Sequence, residues 1–523
     1  FPQSGPALAA VAAWLQRWEC ARAPGTDGKG ATRDVSRQSA LWRRAAEGLT
    51  GLARATRPVA EETRAALARR WAELPEHVRT DAQALGRSAV GCEGTHGVFP
   101  RCNFACTPCY HSAGANRVRV DGAHTVAQVE RQMAYLAAVR GPRGHVQLIG
   151  GEVSLLDPDD HAQALAVMRR HGREPMSFTH GDFDYAYLEA LALGSDGRPR
   201  FKRLSFAAHF DTTMRGRAGL RRPRSEAELN PLRQAFCDLF RRLRAEHGVR
   251  FFLAHNMTVT PGNVAQIPQV IEDCRAMGFN MFSFQPAAHV GDERRWTGDY
   301  RSLDPNEVWA KIEQGVGAHL PHRLFQTGDE RCNRSTLGCY VGGRFVPVGD
   351  EADPADIAAR DAFYAHLGGV HWNAPPVLLA VRLARVLAAH PRLVATAASW
   401  LHRRVRQAGG AEVVLRAARQ HELVPMTFVM HRFMHAEDVK PAWELLRRGE
   451  TSTDPRIRET QERLQACFYD MAHPETGEIV PACVQHSVLD PAENTALAEL
   501  LPLPRVRRCG EPAATAAGEA GPC

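Results

Sequence analysis

The sequence lacks any run of about 18 consecutive apolar residues, so no membrane-spanning helix is expected. Residues Phe1 to Leu15 lack a basic stretch and a clear cleavage site, so no secretory signal is expected. The chain does not begin with Met, which fits a fragment or a processed product. Cysteine is too sparse for a disulfide scaffold, with 13 in 523 residues. No internal repeat is present, and low complexity is confined to the small-residue tail after Cys509. A strong excess of one charge is missing too. A net charge of +7 over this length gives no argument for nucleic acid, and no nucleic-acid partner is expected. What remains is an ordinary globular composition, 44% hydrophobic and 24% charged, with room for two or three domains.

The cysteines that are present are grouped. In a reducing compartment such as the cytoplasm, grouped cysteines indicate metal binding or catalysis. The chain divides into a helical N-terminal region (1–90), a barrel (91–295), a C-terminal domain (296–500) and a tail (501–523). Leu41, Ala45, Leu49 and Leu52 recur at helical spacing, as do Leu67, Trp71 and Leu74. Ala23 to Thr32 is polar and glycine-rich and predicts a loop. From about 95 to 292, strands alternate with helices. The predicted strands are Thr95–Pro100, His145–Ile149, Met176–His180, Arg203–Phe210, Arg250–Val259 and Phe279–Gln285. Val126, Val129, Met133 and Leu136 share one helical face. Leu232, Phe236, Leu239 and Leu243 share another, behind a capping-box signal of Ser225 with Glu228. This α/β pattern predicts a parallel sheet curled into a partial, TIM-like (β/α)6 barrel, because six units fall short of a closed eightfold one. The C-terminal domain is expected to be α+β.

Behind the first predicted strand stands Cys102-Asn103-Phe104-Ala105-Cys106-Thr107-Pro108-Cys109. Three thiolates at this C-x3-C-x2-C spacing can hold three irons of a 4Fe–4S cluster and leave the fourth iron open. A zinc knuckle completed by His111 is the alternative. The second strand runs into Gly150-Gly151-Glu152. Glycines at a strand end allow close backbone approach, and the carboxylate suits an ammonium group. Both motifs then share the C-terminal mouth of the barrel, where sites on such folds lie. Ser205, His209 and Asp211, then Asn256, Thr258 and Thr260, then Gln285 and His289 fall on or just after later strands and could face the same mouth. Cys237 and Cys274 fall within helical patterns and read as buried structural residues.

The pairing of the triplet with Gly-Gly-Glu, over about 92–292, resembles the radical S-adenosylmethionine (radical SAM) superfamily. The resemblance implies that Cys102, Cys106 and Cys109 ligate a 4Fe–4S cluster. It further implies that Gly150, Gly151 and Glu152 bind the amino group of S-adenosylmethionine (SAM), with Ser205 and Asn256 as further cofactor contacts. An electron from the cluster would cleave SAM to a 5′-deoxyadenosyl radical that takes hydrogen from a substrate, and a flavodoxin or ferredoxin would supply the electron. Where the family often has an aromatic residue before the third cysteine, this chain has Pro108, with Tyr110 just after.

Further on, Cys332 and Cys339 flank a short polar segment predicted to be a loop. Cys467 and Cys483 flank a Pro-Glu-Thr-Gly turn that predicts a hairpin. Two pairs of thiolates could hold an auxiliary cluster. This region, with Met430 to His435 and the hairpin, resembles the C-terminal part of a radical SAM subgroup that includes the archaeal tetraether lipid synthases. Cys92 fits that subgroup, whereas its dense N-terminal cysteine motif is absent, since only Cys20 precedes Cys92. The resemblance makes a lipid or other apolar chain the first expected substrate, with a peptide second. A non-catalytic iron–sulfur or zinc protein is the alternative outside the enzyme class. Residues 375–406 interleave leucines, valines and Trp400 with six arginines, and no acidic residue occurs between 371 and 411. A helix pair packed on the core with a solvated arginine face is expected there, with peripheral contact to an anionic membrane as the alternative.

Overall fold

The computed structural model describes residues 47–503, apart from 48, 49, 52, 112, 218 and 221. The patterns at Leu41 to Leu52 and Ala23 to Thr32 therefore lie wholly or largely outside the described residues, as does the tail beyond 503. Leu67 and Leu74 are buried on and just after helix α1 (Glu61–Glu73), as the spacing predicts.

Six parallel strands follow: β1 (Cys92–Gly94), β2 (Gly144–Leu148), β3 (Arg173–Thr179), β4 (Arg203–His209), β5 (Arg250–Val259) and β6 (Met281–Pro286). Helices α2 (Gly122–Arg140), α3 (Pro158–Arg170), α4 (Tyr185–Ala192), α5 (Asn230–His247) and α6 (Ile267–Met277) connect them. Local chemistry sets these bounds. Asp121, Asp157 and Asp184 accept backbone N–H groups at the starts of α2, α3 and α4. Left-handed Gly248 and Gly278 end α5 and α6. α2 buries Val129, Met133 and Leu136, and α5 buries Phe236 and Leu243, each worth roughly 1.5–3 kcal/mol of transfer free energy. Inside the barrel wall the Arg173 guanidinium donates to both oxygens of Glu93 at 2.9 Å, tying β3 to β1 across β2.

Two sequence expectations change. The first strand is Cys92–Gly94 rather than Thr95–Pro100. Pairing ends soon after Thr95, because Gly97 takes a positive φ and Pro100 has no N–H to donate. The capping box does not form either. The Glu228 carboxylate accepts from Arg224 instead, and Ser225 caps nothing.

The C-terminal region does not build a separate α+β sheet. β7 (Asn333–Val341), β8 (Arg344–Pro347), β9 (Leu423–His431), β10 (Tyr469–Ala472) and β11 (Ile479–Pro481) extend the same sheet, in the order β11-β10-β1-β2-β3-β4-β5-β6-β9-β7-β8. β10 lies parallel to β1, and β9 lies parallel to β6. The parallel wall is thus longer by one strand at each end than the six expected. Among the described residues its ends do not pair, so the barrel is partial. The predicted hairpin is β10–β11, antiparallel, with Met471 opposite Val480.

The basic apolar stretch forms α7 (Pro376–Ala389), α8 (Arg392–Gln407) and α9 (Ala411–Arg419). The arginine face expected to be solvated is partly turned inward, while Arg392 and Arg406 remain exposed. Arg382 donates to the Ala55 carbonyl, and Arg403 and Arg404 both bind buried Asp356, at 2.7 and 2.6 Å. Val377, Val381, Leu387, Val394 and Leu401 are exposed instead. A buried carboxylate and free carbonyls outbid solvent for these guanidinium groups. Among the described residues no helix is long and apolar enough to cross a membrane.

Buried imidazoles make the fold acid-sensitive. His161 on α3 is fully buried, with Nδ1 on the Tyr187 hydroxyl and Nε2 on Ser177, and burial lowers its pKa to about 3. Burial lowers His431 on β9 to about 4. Both folded values lie below the unfolded value near 6.5, so the unfolded chain binds more protons below that pH. Their stability contribution is complete above about pH 6.5 and is lost as pH falls toward the folded values, at about 1.4 kcal/mol per pH unit for each group. Urea unfolding between pH 7 and pH 4.5 should show this decline, and His161→Gln should flatten it. An unchanged slope in that variant would remove His161 from the account.

Candidate active site at the barrel mouth

The triplet loop crosses the C-terminal ends of the strands and is held mostly by main chain. Gly151 N–H donates to Phe99 O at 2.8 Å, and Glu152 N–H donates to Arg101 O at 3.0 Å. Ala105 and Thr107 donate to Arg215 and Thr213 carbonyls in the loop after β4, both at 3.0 Å. Asn116 accepts from Cys102 N–H, and Asn103 meets His180 Nε2 at 2.7 Å. Phe104 stacks on the His180 ring at 3.8 Å, and the Arg217 guanidinium lies 5.3 Å from the centre of the Phe104 ring. Gly291, in the loop after β6, lies so close to the Tyr110 carbonyl that a Cβ there would collide with it.

Cys102, Cys106 and Cys109 are partly exposed, and they sense one another electrostatically. Burial of the sulfurs raises all three thiols, Cys102 to about 12. Such thiols stay protonated until a cation takes them, and loading then releases protons. The spacing disfavours the zinc alternative. The three sulfurs are not gathered within 4.8 Å of one another, whereas one tetrahedral zinc would hold them about 3.8 Å apart. His111, the fourth zinc ligand considered, has Nε2 on the Gly150 carbonyl.

The Gly-Gly-Glu segment has a structural role in the chain itself. A Cβ on Gly150 would collide with Phe99, and one on Gly151 with the Arg101 and Pro100 backbone. The glycines admit the triplet loop itself. Glu152 is 1% exposed. Its Oε1 accepts from Ser154 N–H, Ser154 Oγ and Thr179 Oγ1 at 2.9, 2.7 and 2.6 Å, and its Oε2 accepts from His180 N–H at 2.8 Å. The carboxylate is committed to the chain's own donors, bracketing the ends of β2 and β3.

His209 and Asp211 form a close pair at the end of β4. Asp211 is fully buried and also accepts from Thr213 N–H at 2.8 Å and Thr258 N–H at 2.7 Å. Burial opposes ionisation of both groups, but their mutual attraction wins, raising His209 and lowering Asp211. Asn256 pairs in register with His209, so it joins this side of the mouth. Ser205 does not. It precedes His209 by four residues along β4, about 13 Å down the strand. Gln285 bonds Ser283, and His289 N–H donates to His435. Cys237 and Cys274 are buried in the core, as expected.

The second cysteine set forms only in part. Cys332, Cys467 and Cys483 perturb one another electrostatically. Arg463, on α10 (Pro455–Gln465), donates from Nε to Cys332 Sγ at 3.1 Å. Cys483 Sγ accepts from Met434 N–H at 3.4 Å. Cys339 is excluded. The segment predicted as a loop between Cys332 and Cys339 is strand β7, and seven residues of strand separate the two by about 23 Å. Cys339 packs instead beside Val341 and Val346. Cys92 is drawn toward this end of the sheet, in register with Tyr469 on β10, and its N–H donates to Phe468 O at 2.7 Å.

A tighter ligand-like group also exists. His96, His473 and Glu493 bring one nitrogen or oxygen each within 4.8 Å. Its hydrogen bonds argue against a metal. His473 Nδ1 accepts from Glu475 and Thr476 N–H at 3.2 and 3.3 Å, so Nε2 carries the proton toward Glu493. A metal on Nε2 would need that proton on Nδ1.

No protein-family model matches the chain, and no curated protein matches it. Solved structures of low similarity do. Streptococcus suis SuiB is 15% identical over 38% of this chain and 40% of its own, with a TM-score of 0.26. anSMEcpe with bound AdoMet is 15% identical over 42% and 57%, with a TM-score of 0.28. Coproporphyrinogen III oxidase (HemN) from Escherichia coli, a radical SAM enzyme, is 14% identical over 43% and 50%, with a TM-score of 0.24. The chain thus spans 40 to 57% of the length of these three proteins.

Gly151→Ala should displace the triplet loop, because backbone cannot yield as a side chain would. Overpacking of this kind costs about 1–3 kcal/mol. Denaturant unfolding and iron content should both fall in that variant, and wild-type values in both would remove the glycine's packing role.

Proposed function

We propose that this chain is a radical SAM enzyme. The observation that carries the reading is the placement of three partly exposed thiols at the C-terminal mouth of a parallel partial barrel, on a loop whose leading segment is bonded backbone to backbone to the Gly-Gly-Glu strand end. Cys102, Cys106 and Cys109 would hold a 4Fe–4S cluster. Bound cluster and SAM would supply reductive cleavage of SAM and a carbon radical able to abstract hydrogen. The chain's own residues do the positioning. Gly150 and Gly151 seat the cysteine loop, and Glu152 locks the ends of β2 and β3 beneath it. Asn256 and the His209–Asp211 pair offer polar groups at the mouth for SAM or substrate. Phe104, His180 and Arg217 pack around the loop and limit water access.

Cys332, Cys467 and Cys483 are the ligand set we propose for a second iron–sulfur group, in place of the four cysteines expected from sequence. An apolar chain is the proposed substrate class, supported by the outward apolar residues of α7 and α8, which would also favour contact with a membrane surface. A small iron–sulfur or flavin protein would supply electrons.

Anaerobically purified protein should be brown, with iron and sulfide in cluster ratio. Replacing Cys102, Cys106 and Cys109 together by Ala should remove one cluster's worth of iron. With dithionite and SAM the wild type should release 5′-deoxyadenosine slowly without substrate. A chain with a full cluster and no 5′-deoxyadenosine on chromatography would be an electron carrier instead, and a chain holding only zinc would end the reading.

The second group is tested separately. Cys467→Ala with Cys483→Ala should lower iron while leaving SAM cleavage partly intact, and Cys339→Ala should leave iron unchanged. Iron lost on Cys339→Ala but not in the double variant would reverse the assignment.

A further inference from the structure

A cavity of about 10 Å³ lies where Thr95–Pro100 and the end of β2 meet the π-helical turn Gln485–Leu489, which follows the β10–β11 hairpin. It has room for one water-sized occupant. Thr95, His111, Gln485, His486 and Asp490 bring polar side chains to its lining. The hydrogens of these side chains are already spent. Thr95 Oγ1 donates to Ile149 O at 2.6 Å. Gln485 Nε2 donates to the Asp490 carboxylate and, at 3.2 Å, to Glu493 Oε2. His486 Nδ1 donates to Asp490 Oδ2 at 2.7 Å, and His111 Nε2 donates to the Gly150 carbonyl. Three acceptors are left over. His111 Nδ1, Gln485 Oε1 and His486 Nε2 are buried and have no hydrogen-bond partner. Gln485 is 1% and His486 4% exposed. The two imidazole rings stand 5.9 Å apart, edge to face, and the Tyr110 ring packs on His486 at 4.3 Å.

Buried acceptors need donors or a cation. One water has two hydrogens and would leave one of the three stranded, whereas a cation answers all of them. Both rings are already set as in metal-bound histidines, with the far N–H held by a carboxylate or a backbone carbonyl and the near nitrogen presenting its lone pair. The neighbouring His96–His473–Glu493 group fails this criterion, because the proton of His473 sits on the nitrogen that a metal would need. We infer that His111 Nδ1, His486 Nε2 and Gln485 Oε1 form a binding site for one divalent first-row metal ion of the zinc type, separate from the thiol sites. Asp490 is the positioning residue for His486 and Gln485. The ion joins the chain just after Cys109 to the C-terminal turn. The inference goes beyond the radical SAM reading and does not depend on it.

The test uses the full chain, loaded first with iron and sulfide so that the thiols are occupied, then dialysed against zinc. Metal analysis should find one zinc per chain. X-ray absorption at the zinc edge should show nitrogen and oxygen neighbours at about 2.0–2.1 Å. His486→Ala should lose this zinc, and Asp490→Asn should bind it about 10- to 100-fold more weakly. His473→Ala should stay within threefold of wild type. A wild type without zinc, or zinc with sulfur neighbours alone, overturns the inference. So does a folded His486→Ala variant that keeps the nitrogen and oxygen shell. Should His486→Ala fail to fold, Asp490→Asn decides, and wild-type affinity in it overturns the site. If iron and sulfide do not load, the variant with Cys102, Cys106 and Cys109 replaced by Ala is dialysed instead. Zinc on nitrogen and oxygen there keeps this site while the proposed function falls, and its absence removes both.

Discussion

The mouth of this barrel is organised by the contact between two chain segments that have no side chain between them. Phe99 to Arg101 lies on Gly150 to Glu152, main chain against main chain, and a single methyl group at Gly150 or Gly151 would part them. Beneath that contact, the Glu152 carboxylate gathers donors from Ser154, Thr179 and His180, so the ends of β2 and β3 cannot separate without stranding a buried charge. The three cysteines inherit their position from this arrangement. Rigid main-chain support is what a multi-thiolate site requires, because ligands held by loose loops lose geometry faster than they lose stability.

The buried arginines sit in different settings. Arg173 pairs with Glu93 and Arg233 with Glu226. Arg382 donates to the Ala55 carbonyl, and Arg463 donates to the Cys332 sulfur while keeping Glu459 at 3.5 Å.

Much of the barrel was legible from the amino-acid pattern, because strand and helix periods are local. β5 matches its predicted limits, and β2, β3, β4 and β6 match within a few residues. The missing pieces are non-local. Nothing in Leu423–His431 or Tyr469–Ala472 reveals that they flank β6 and β1, since register is set by partners far away in the chain. Cys332 and Cys339 look like a loop pair because the intervening residues are polar, yet β7 pairs through them with β9, and several of their side chains are only partly buried. Gly-Gly-Glu is recognisable as a motif but not for what it touches, as the sequence pattern places Phe99 and Pro100 in a strand. Arg294 and Arg295 are adjacent and chemically identical, and only the turn that buries one and exposes the other tells them apart.

The position of β10 beside β1 has a consequence for synthesis. The strand that leads into the cysteine loop waits for a partner that lies nearly four hundred residues later. At roughly 5–20 residues per second, a ribosome needs on the order of half a minute to a minute to deliver it. During that interval β1 has one open edge, and Tyr469, Met471 and the residues packed with them cannot yet cover it. The wall that carries the cysteine loop is therefore complete only after β10 has been made.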